Sequence, residues 1–234
     1  MGESKNWRLM DDGYSSQGDA LLESFMLGRF GSLMPLTFDT GGILGKYLDL
    51  TGNIAFALDP PSDLCFDETG DFAISFISSG IQSGSQSLFV LAWGDEVDDV
   101  THGNNAVSIA VSNGNLYFSL MGESGEFRSA YCSDTYDENT FYHYVFRNSP
   151  NDSSLMDIFV NGRKLITGID DKLQSSYSIG NQFFNIGGLQ SQGNGSRGVN
   201  NSIANIRIAD LRIISRAISD AEVNNLYMHY KGLI

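Results

Sequence analysis

The chain has little cysteine, little proline, few histidines and few cations, and each shortage removes a class of answers. Two cysteines in 234 residues, Cys65 and Cys132, are too few for a disulfide framework. At this level they either pair or stand as free buried thiols. The three histidines, His102, His143 and His229, are scattered, so neither zinc spacing nor a nucleophilic triad assembles around them. Lys and Arg total 14 against 28 Asp and Glu, a formal charge of −14. That balance excludes binding to nucleic acid through its phosphates and works against docking on anionic lipid. No run is long and apolar enough to span a bilayer, so no membrane insertion is expected. The opening MGESKNWRLMDDGYSS lacks an apolar core and does not read as a secretory signal. No Gly-rich loop stands between a strand and a helix to cradle phosphate.

What is present suits a packed β protein. Hydrophobic residues make up 41% of the chain and aromatics 12%, enough for a core. Twenty-six glycines beside four prolines fit many short strands joined by tight turns. No period of repeat size is evident, which disfavours solenoids and propellers. The length fits one all-β sandwich with an appendage.

The appendage is residues 1–36, ahead of a domain at 37–234. A polar opening leads to GDALLESFMLGRF, where Asp19 caps an expected short helix, Leu22, Phe25 and Met26 share an apolar face and Gly28 ends it. So short a helix must pack on something, either its own sandwich or a neighbouring subunit.

From Leu36 onward apolar and polar residues alternate in short segments ending at Gly, Pro or Asp. Phe72, Ile74 and Phe76 fall on one face of an expected strand, and SLFVLAWGD reads as a central one. Asn113-Gly114 suits a two-residue type I′ turn that pairs Val111 with Leu116, Ile109 with Phe118 and Val107 with Leu120. All these pairs are apolar and share a face, so turn chemistry and burial specify one register. Asn161-Gly162 joins MDIFV to RKLIT in the same way. Near the end, Ser219 and Glu222 form a capping box ahead of an apolar stripe of Val223, Leu226, Tyr227 and Tyr230.

The order of these pieces resembles the laminin-G-like, concanavalin A-like jelly-roll family over residues 37–232. ETGDFAISF is similar to the family's early strand, with Ile77 where a tryptophan usually stands. FYHYVF takes the place of a strand with a Trp-His core, Tyr142 replacing the tryptophan and His143 kept. MDIFVNGRKL, FNIGG and IADLRIISRAISDAEVNNLY follow in the family's order, with Asn161 and Ala209 where acids usually stand and Asp210 kept. The resemblance implies an all-β, antiparallel two-sheet sandwich with a short N-terminal helical arm and a short C-terminal helix. These motifs are turns, core aromatics and a capped helix, so they speak for fold more than for ligand.

Two stretches offer chemistry. GDEVDDVTHGNN reads as a loop that gathers oxygen ligands, Asp95, Asp98, Asp99, Asn104 and Asn105. Calcium is the cation such oxygens suit, and the resemblance implies calcium in rim loops. The plainer reading is a solvated acidic loop. Laminarinase-type hydrolases of this sandwich carry E-x-D-x-x-E on a strand. Glu96 and Asp98 fit E-x-D, but Thr101 occupies the third position, and a retaining hydrolase needs two carboxyl groups about 5 Å apart. No enzyme activity is therefore expected. The Gly-rich loop over residues 190–202 supplies Asn194, Asn200 and Asn201 to bond sugar hydroxyls, with Trp93, Tyr131 and Tyr136 to stack on a ring. The plainer reading of these is a surface loop and a core tryptophan.

The expected function is that of a non-enzymatic structural or adhesion protein on the surface of a virus particle, such as a bacteriophage capsid, tail or fibre. Its sandwich would present loops to cell-surface glycans, and residues 1–36 would engage other particle proteins or a second copy. The alternative is a soluble carbohydrate-binding lectin module, with or without calcium, secreted or at a cell surface by a route without a signal peptide. A degenerate laminarinase-type hydrolase comes third.

Overall fold

The computed structural model describes residues 6–8, 25–28, 33–34, 38–42, 45–50, 54–58, 66–67, 70–79, 81, 88–99, 102–133, 137, 139–149, 155–166, 168–173, 175–179, 183–188, 190–191, 198–199, 204–216, 218–232 and 234. Most of them form two antiparallel sheets packed face to face, beside two two-stranded ribbons, Phe66–Asp67 with Ser178–Ile179 and Gln190–Ser191 with Gly198–Val199. One, of eight strands, runs in the order Arg163–Lys164, Leu155–Val160, Tyr142–Ser149, Phe72–Ser79, Arg207–Ile214, Gly45–Asp49 and Phe38–Gly42, with Asn6–Arg8 also paired to Arg207–Ile214. The other, of nine strands, runs Gly168–Asp171, Phe127–Cys132, Asn115–Met121, His102–Ser112, Leu88–Asp99, Phe183–Ile186, Ile54–Leu58, Phe25–Gly28 and Leu33–Met34. The helix Asp220–Tyr230 closes the chain.

Alternation along the strands sends one set of side chains inward. Phe72, Ile74 and Phe76 do share a face, as their spacing predicts, and join Tyr144 and Phe146 in a fully buried layer. From the facing sheet come Leu91, Trp93, Ile109 and Phe118. Phe118 meets Phe72 at 6.2 Å and Phe146 at 5.5 Å between ring centroids, so the core lies between the sheets. Each such side chain contributes roughly 1.5–3 kcal/mol by leaving water.

Both Asn-Gly turns form as expected. Asn113 and Gly114 take φ of 49° and 77°, Asn161 and Gly162 take 51° and 74°, the left-handed pair that a type I′ turn requires. The first pairs Val111 with Leu116, Ile109 with Phe118 and Val107 with Leu120. Asn161 does more than turn the chain: its Oδ1 accepts from the His143 N–H at 2.9 Å, tying the hairpin to its neighbour strand. At the last helix, Ser219 accepts from the Glu222 N–H while the Glu222 carboxylate accepts from the Ser219 N–H, the expected capping box.

Two expectations are corrected. Phe25–Gly28 is a strand paired to Ile54–Leu58, not the end of a helix; its β-favouring Phe-Met-Leu run gains ladder hydrogen bonds that outweigh a short helix's local preference. Residues 19–24 lie outside the described residues. The acidic run is not an open loop either. Leu88–Asp99 and His102–Ser112 are paired strands, with Asp99 opposite His102 and Glu96 opposite Asn104. The register shifts between His102 and Gly103, which interrupts the two-residue alternation on which the E-x-D reading relies. Gly94 permits this hairpin: a Cβ there would stand 2.4 Å from the Ala106 Cα, so any other residue would push the strands apart.

Candidate functional site

The two outer faces of the sandwich are built differently. On the eight-stranded sheet, residues that alternate with the core layer meet the C-terminal helix: Ala73, Val145, Phe159, Ile214, Ile218 and Val223 form a second apolar cluster there. Polar groups clamp its margins. The buried Arg147 donates to Asp157 through Nε at 2.9 Å and through Nη2, to the Ile218 carbonyl at 2.7 Å and to Asp220 at 2.9 Å. Lys164 also pairs with Asp157. Asp210, with φ of 48° at a register shift in its strand, holds Arg212 at 2.7 Å and accepts from the Tyr230 hydroxyl. His143 is buried against Tyr230 and bonded through Nε2 to the Ser75 hydroxyl at 2.9 Å. Burial, with the charge of Arg212 adding to it and Asp210 opposing, lowers its pKa to about 4.

Beside this helix runs a groove of about 450 Å³. Ile214, Ile218 and Leu226 supply its apolar side, Arg212, Arg216 and the His229 imidazole its basic one, and Asn225 and Glu222 complete it. Arg216 pairs with Glu222 at 2.6 Å. That pair and the Ser219 N–H hold the Glu222 carboxyl down to about 2.

The outer face of the nine-stranded sheet carries rows of hydroxyls and aromatics. Along Asn115–Met121, Leu116, Phe118 and Leu120 enter the core, so Tyr117, Ser119 and Met121 face away. Along Phe127–Cys132, Ala130 and Cys132 enter the core, so Phe127, Ser129 and Tyr131 face away. Cys132 is a free, buried thiol; Cys65 lies outside the described residues. The register sets Tyr117 beside Tyr131, Ser119 beside Ser129 and Met121 beside Phe127. The two tyrosine rings lie 5.7 Å apart at 34°, and the serine hydroxyls bond at 2.7 Å. Tyr131 lies across Gly168, where a Cβ would stand 2.5 Å from the tyrosine Oη. Both rings are half-buried. On the turn side of them, Ser112 pairs with Asn115, and the exposed Ser133 follows the end of the next strand. A half-buried aromatic shelf bordered by hydroxyl and amide groups can cover the apolar face of a pyranose and bond its hydroxyls.

Of the residues predicted to bind, Tyr131 stands on this shelf. Trp93 does not: it is fully buried, 5.4 Å from Phe66 and 5.3 Å from Phe184 between ring centroids, and presents no face to a ligand. The apolar run that made it a central-strand residue also buries it. Tyr136, Asn194, Asn200 and Asn201 lie outside the described residues. For the oxygen ligands, the structure puts Asp95, Asp98 and Asp99 on one strand of a hairpin and Asn104 and Asn105 on the other. Asn105 adopts φ of 44°, and its Oδ1 accepts from the Ser178 N–H at 3.1 Å, lacing two rim segments together. Among the described residues no cluster of His, Cys, Asp or Glu forms a metal site. Tyr117 was absent from the predicted site, although the alternation in NLYFSLM and FRSAYC sets it on the face of Tyr131. The groove residues were missed because nothing in their spacing joins a strand to a helix packed across it.

A family model described as the concanavalin A-like lectin/glucanases superfamily matches residues 57–224. No curated protein matches the chain. Among solved structures, the binding domain of Paraclostridial Mosquitocidal Protein 1 superposes with a TM-score of 0.64 at 15% identity, covering 96% of this chain and 51% of that one. The botulinum neurotoxin serotype G binding domain gives 0.59 at 13% identity, covering 96% and 50%. The serotype D ligand-binding domain, in complex with N-acetylneuraminic acid, gives 0.59 at 11% identity, covering 94% and 52%. This chain therefore spans about half the length of these domains, and at such identities the likeness is one of fold.

Proposed function

We propose that this chain, which belongs to the concanavalin A-like lectin/glucanases superfamily, is a non-enzymatic carbohydrate-binding module that holds a sugar ring on Tyr117 and Tyr131. The observation that carries this reading is the tyrosine pair, 5.7 Å between centroids and half-buried on the outer face of the nine-stranded sheet. Its polar border, the half-buried Asn115 and the exposed Ser133, carries an amide and a hydroxyl of the kind that orient a glycan. A lectin-like family and a fold neighbour complexed with N-acetylneuraminic acid support it. The interrupted alternation at Glu96 and Asp98 supports a binding role over hydrolysis. The test is a glycan array probed with the parent chain and with Tyr131→Ala. Retention of defined glycans by the parent, lost in the variant at unchanged circular dichroism, is the expected result; equal retention by both removes the shelf from the account.

The finer readings rest on the sequence. We place the module on a particle surface because the chain is acidic, with residues 1–36 engaging a neighbour through parts other than Phe25–Gly28 and Leu33–Met34, which pair within this chain's own sheet. Light scattering of the intact chain and of a chain beginning at Leu36 tests it: the reading requires oligomers from the intact chain alone. Calcium at the hairpin of Asp95, Asp98 and Asp99 is a further proposal, tested by whether EDTA releases a bound glycan.

A further inference from the structure

The groove beside the C-terminal helix has a composition that the glycan reading does not use. Its apolar side, Ile214, Ile218 and Leu226, is continuous with the cluster beneath the helix. Its polar side sets two guanidiniums and an imidazole beside two carboxylates, Glu222 in the groove and Asp210 behind Arg212, in a chain whose formal charge is −14. Arg212 is held in place: Nε and Nη2 are engaged by Asp210 at 3.1 and 2.7 Å, and the guanidinium lies 5.8 Å from the Tyr230 centroid. Arg216 is the more exposed of the two. Its pair with Glu222 leaves both side chains more than 40% exposed (44% and 42%), and exposed ion pairs of this kind contribute little. One fixed cation, one exchangeable cation and an aliphatic wall describe a site for a ligand with a charged end and an apolar body.

We propose that this groove binds a small anionic amphiphile, a medium-chain carboxylate whose head lies among Arg212, Arg216 and His229 and whose chain covers Ile214, Ile218 and Leu226. The volume, about 450 Å³, falls within the range of small-molecule sites. Glu222 opposes an anion at the same mouth, so the head displaces it from Arg216, and the Ser219 N–H keeps its own bond to that carboxylate.

The test is an NMR-monitored titration of the full chain with decanoate below its micelle concentration. Decanol serves as the neutral control, and phosphatidylglycerol vesicles form a separate arm. The proposal expects one saturable site, with shifts confined to the groove and decanol at least about tenfold weaker. Arg216→Gln should weaken decanoate about tenfold at unchanged circular dichroism, and Glu222→Gln, which keeps a cap acceptor, should tighten it. Equal binding of decanol and decanoate overturns the proposal. So does indifference to Arg216→Gln, or binding to vesicles without binding to monomeric decanoate.

Discussion

One outer face of this sandwich holds a helix, and the other carries a small buried cluster, Ala92, Ala106, Ala110 and Met121, with the half-buried Tyr117 and Phe127 packed against it. Under the helix, polar residues work in pairs: Arg147 with Asp157, Asp210 with Arg212 and Tyr230, His143 with Ser75. Buried charges are tolerable there because partners satisfy them. On the nine-stranded sheet the rows are instead uncharged, with Tyr117 beside Tyr131 and Ser119 beside Ser129. Polar residues on the first face therefore report stability; on the second, Ser119 and Ser129 are buried against each other, and the half-buried Tyr117 and Tyr131 are the better candidates for recognition. Substitutions on the two faces should separate along that line.

The largest effect is expected at Asp157. Asp157→Ala leaves Arg147 buried without its main partner, and urea denaturation should show a loss of about 3–5 kcal/mol. The double variant Arg147→Met, Asp157→Leu should recover most of it, since removing both charges removes the desolvation penalty. Little loss in the single variant would break the contrast between the faces.

Acid should act on the same face. His143 has a folded pKa of about 4 against an ordinary 6.5, so between those values the unfolded chain takes up the proton more readily. Its contribution is complete above pH 6.5 and is lost as pH falls through about 4, at most about 3 kcal/mol. Stability measured from pH 7 to 4 should fall with a slope that His143→Gln flattens; an unchanged slope assigns the effect to other groups.

The helix cap should matter less. Ser219→Ala removes one side of the capping box and should cost about 1 kcal/mol, read as a shift in denaturation midpoint. On the other sheet the order reverses. Tyr117→Ala, which also gives up packing on the buried Ala92, Ala106, Ala110 and Met121, should cost about 1 kcal/mol of stability yet abolish glycan retention, and a stability loss without a binding defect would make the shelf a packing feature.

Much of the fold was legible because several local rules agreed. At Asn113-Gly114 and Asn161-Gly162, turn chemistry and the apolar pairing of the flanking strands point to one register, and both hairpins formed. Ser219 and Glu222 named the helix start for the same reason. Phe25–Gly28 failed because helix periodicity over so few residues cannot compete with an open sheet edge, which only the tertiary fold reveals. The acidic run misled because its Gly and Asn content reads as loop, while pairing to His102–Ser112 draws it into a strand. Of the site, Tyr131 was legible and its partner Tyr117 was not named. Their proximity depends on the register of two strands, Tyr117 opposite Tyr131, and not on spacing within either.

The central claim, that the tyrosine shelf receives a sugar, is tested most directly by titrating the chain with its best-retained array glycan and following aromatic ring resonances by NMR. The account predicts that Tyr117 and Tyr131 shift together and saturate, while Tyr144 in the core and Tyr230 at the end of the helix stay in place. Shifts confined to His229 and Tyr230, with the shelf unmoved, would contradict it.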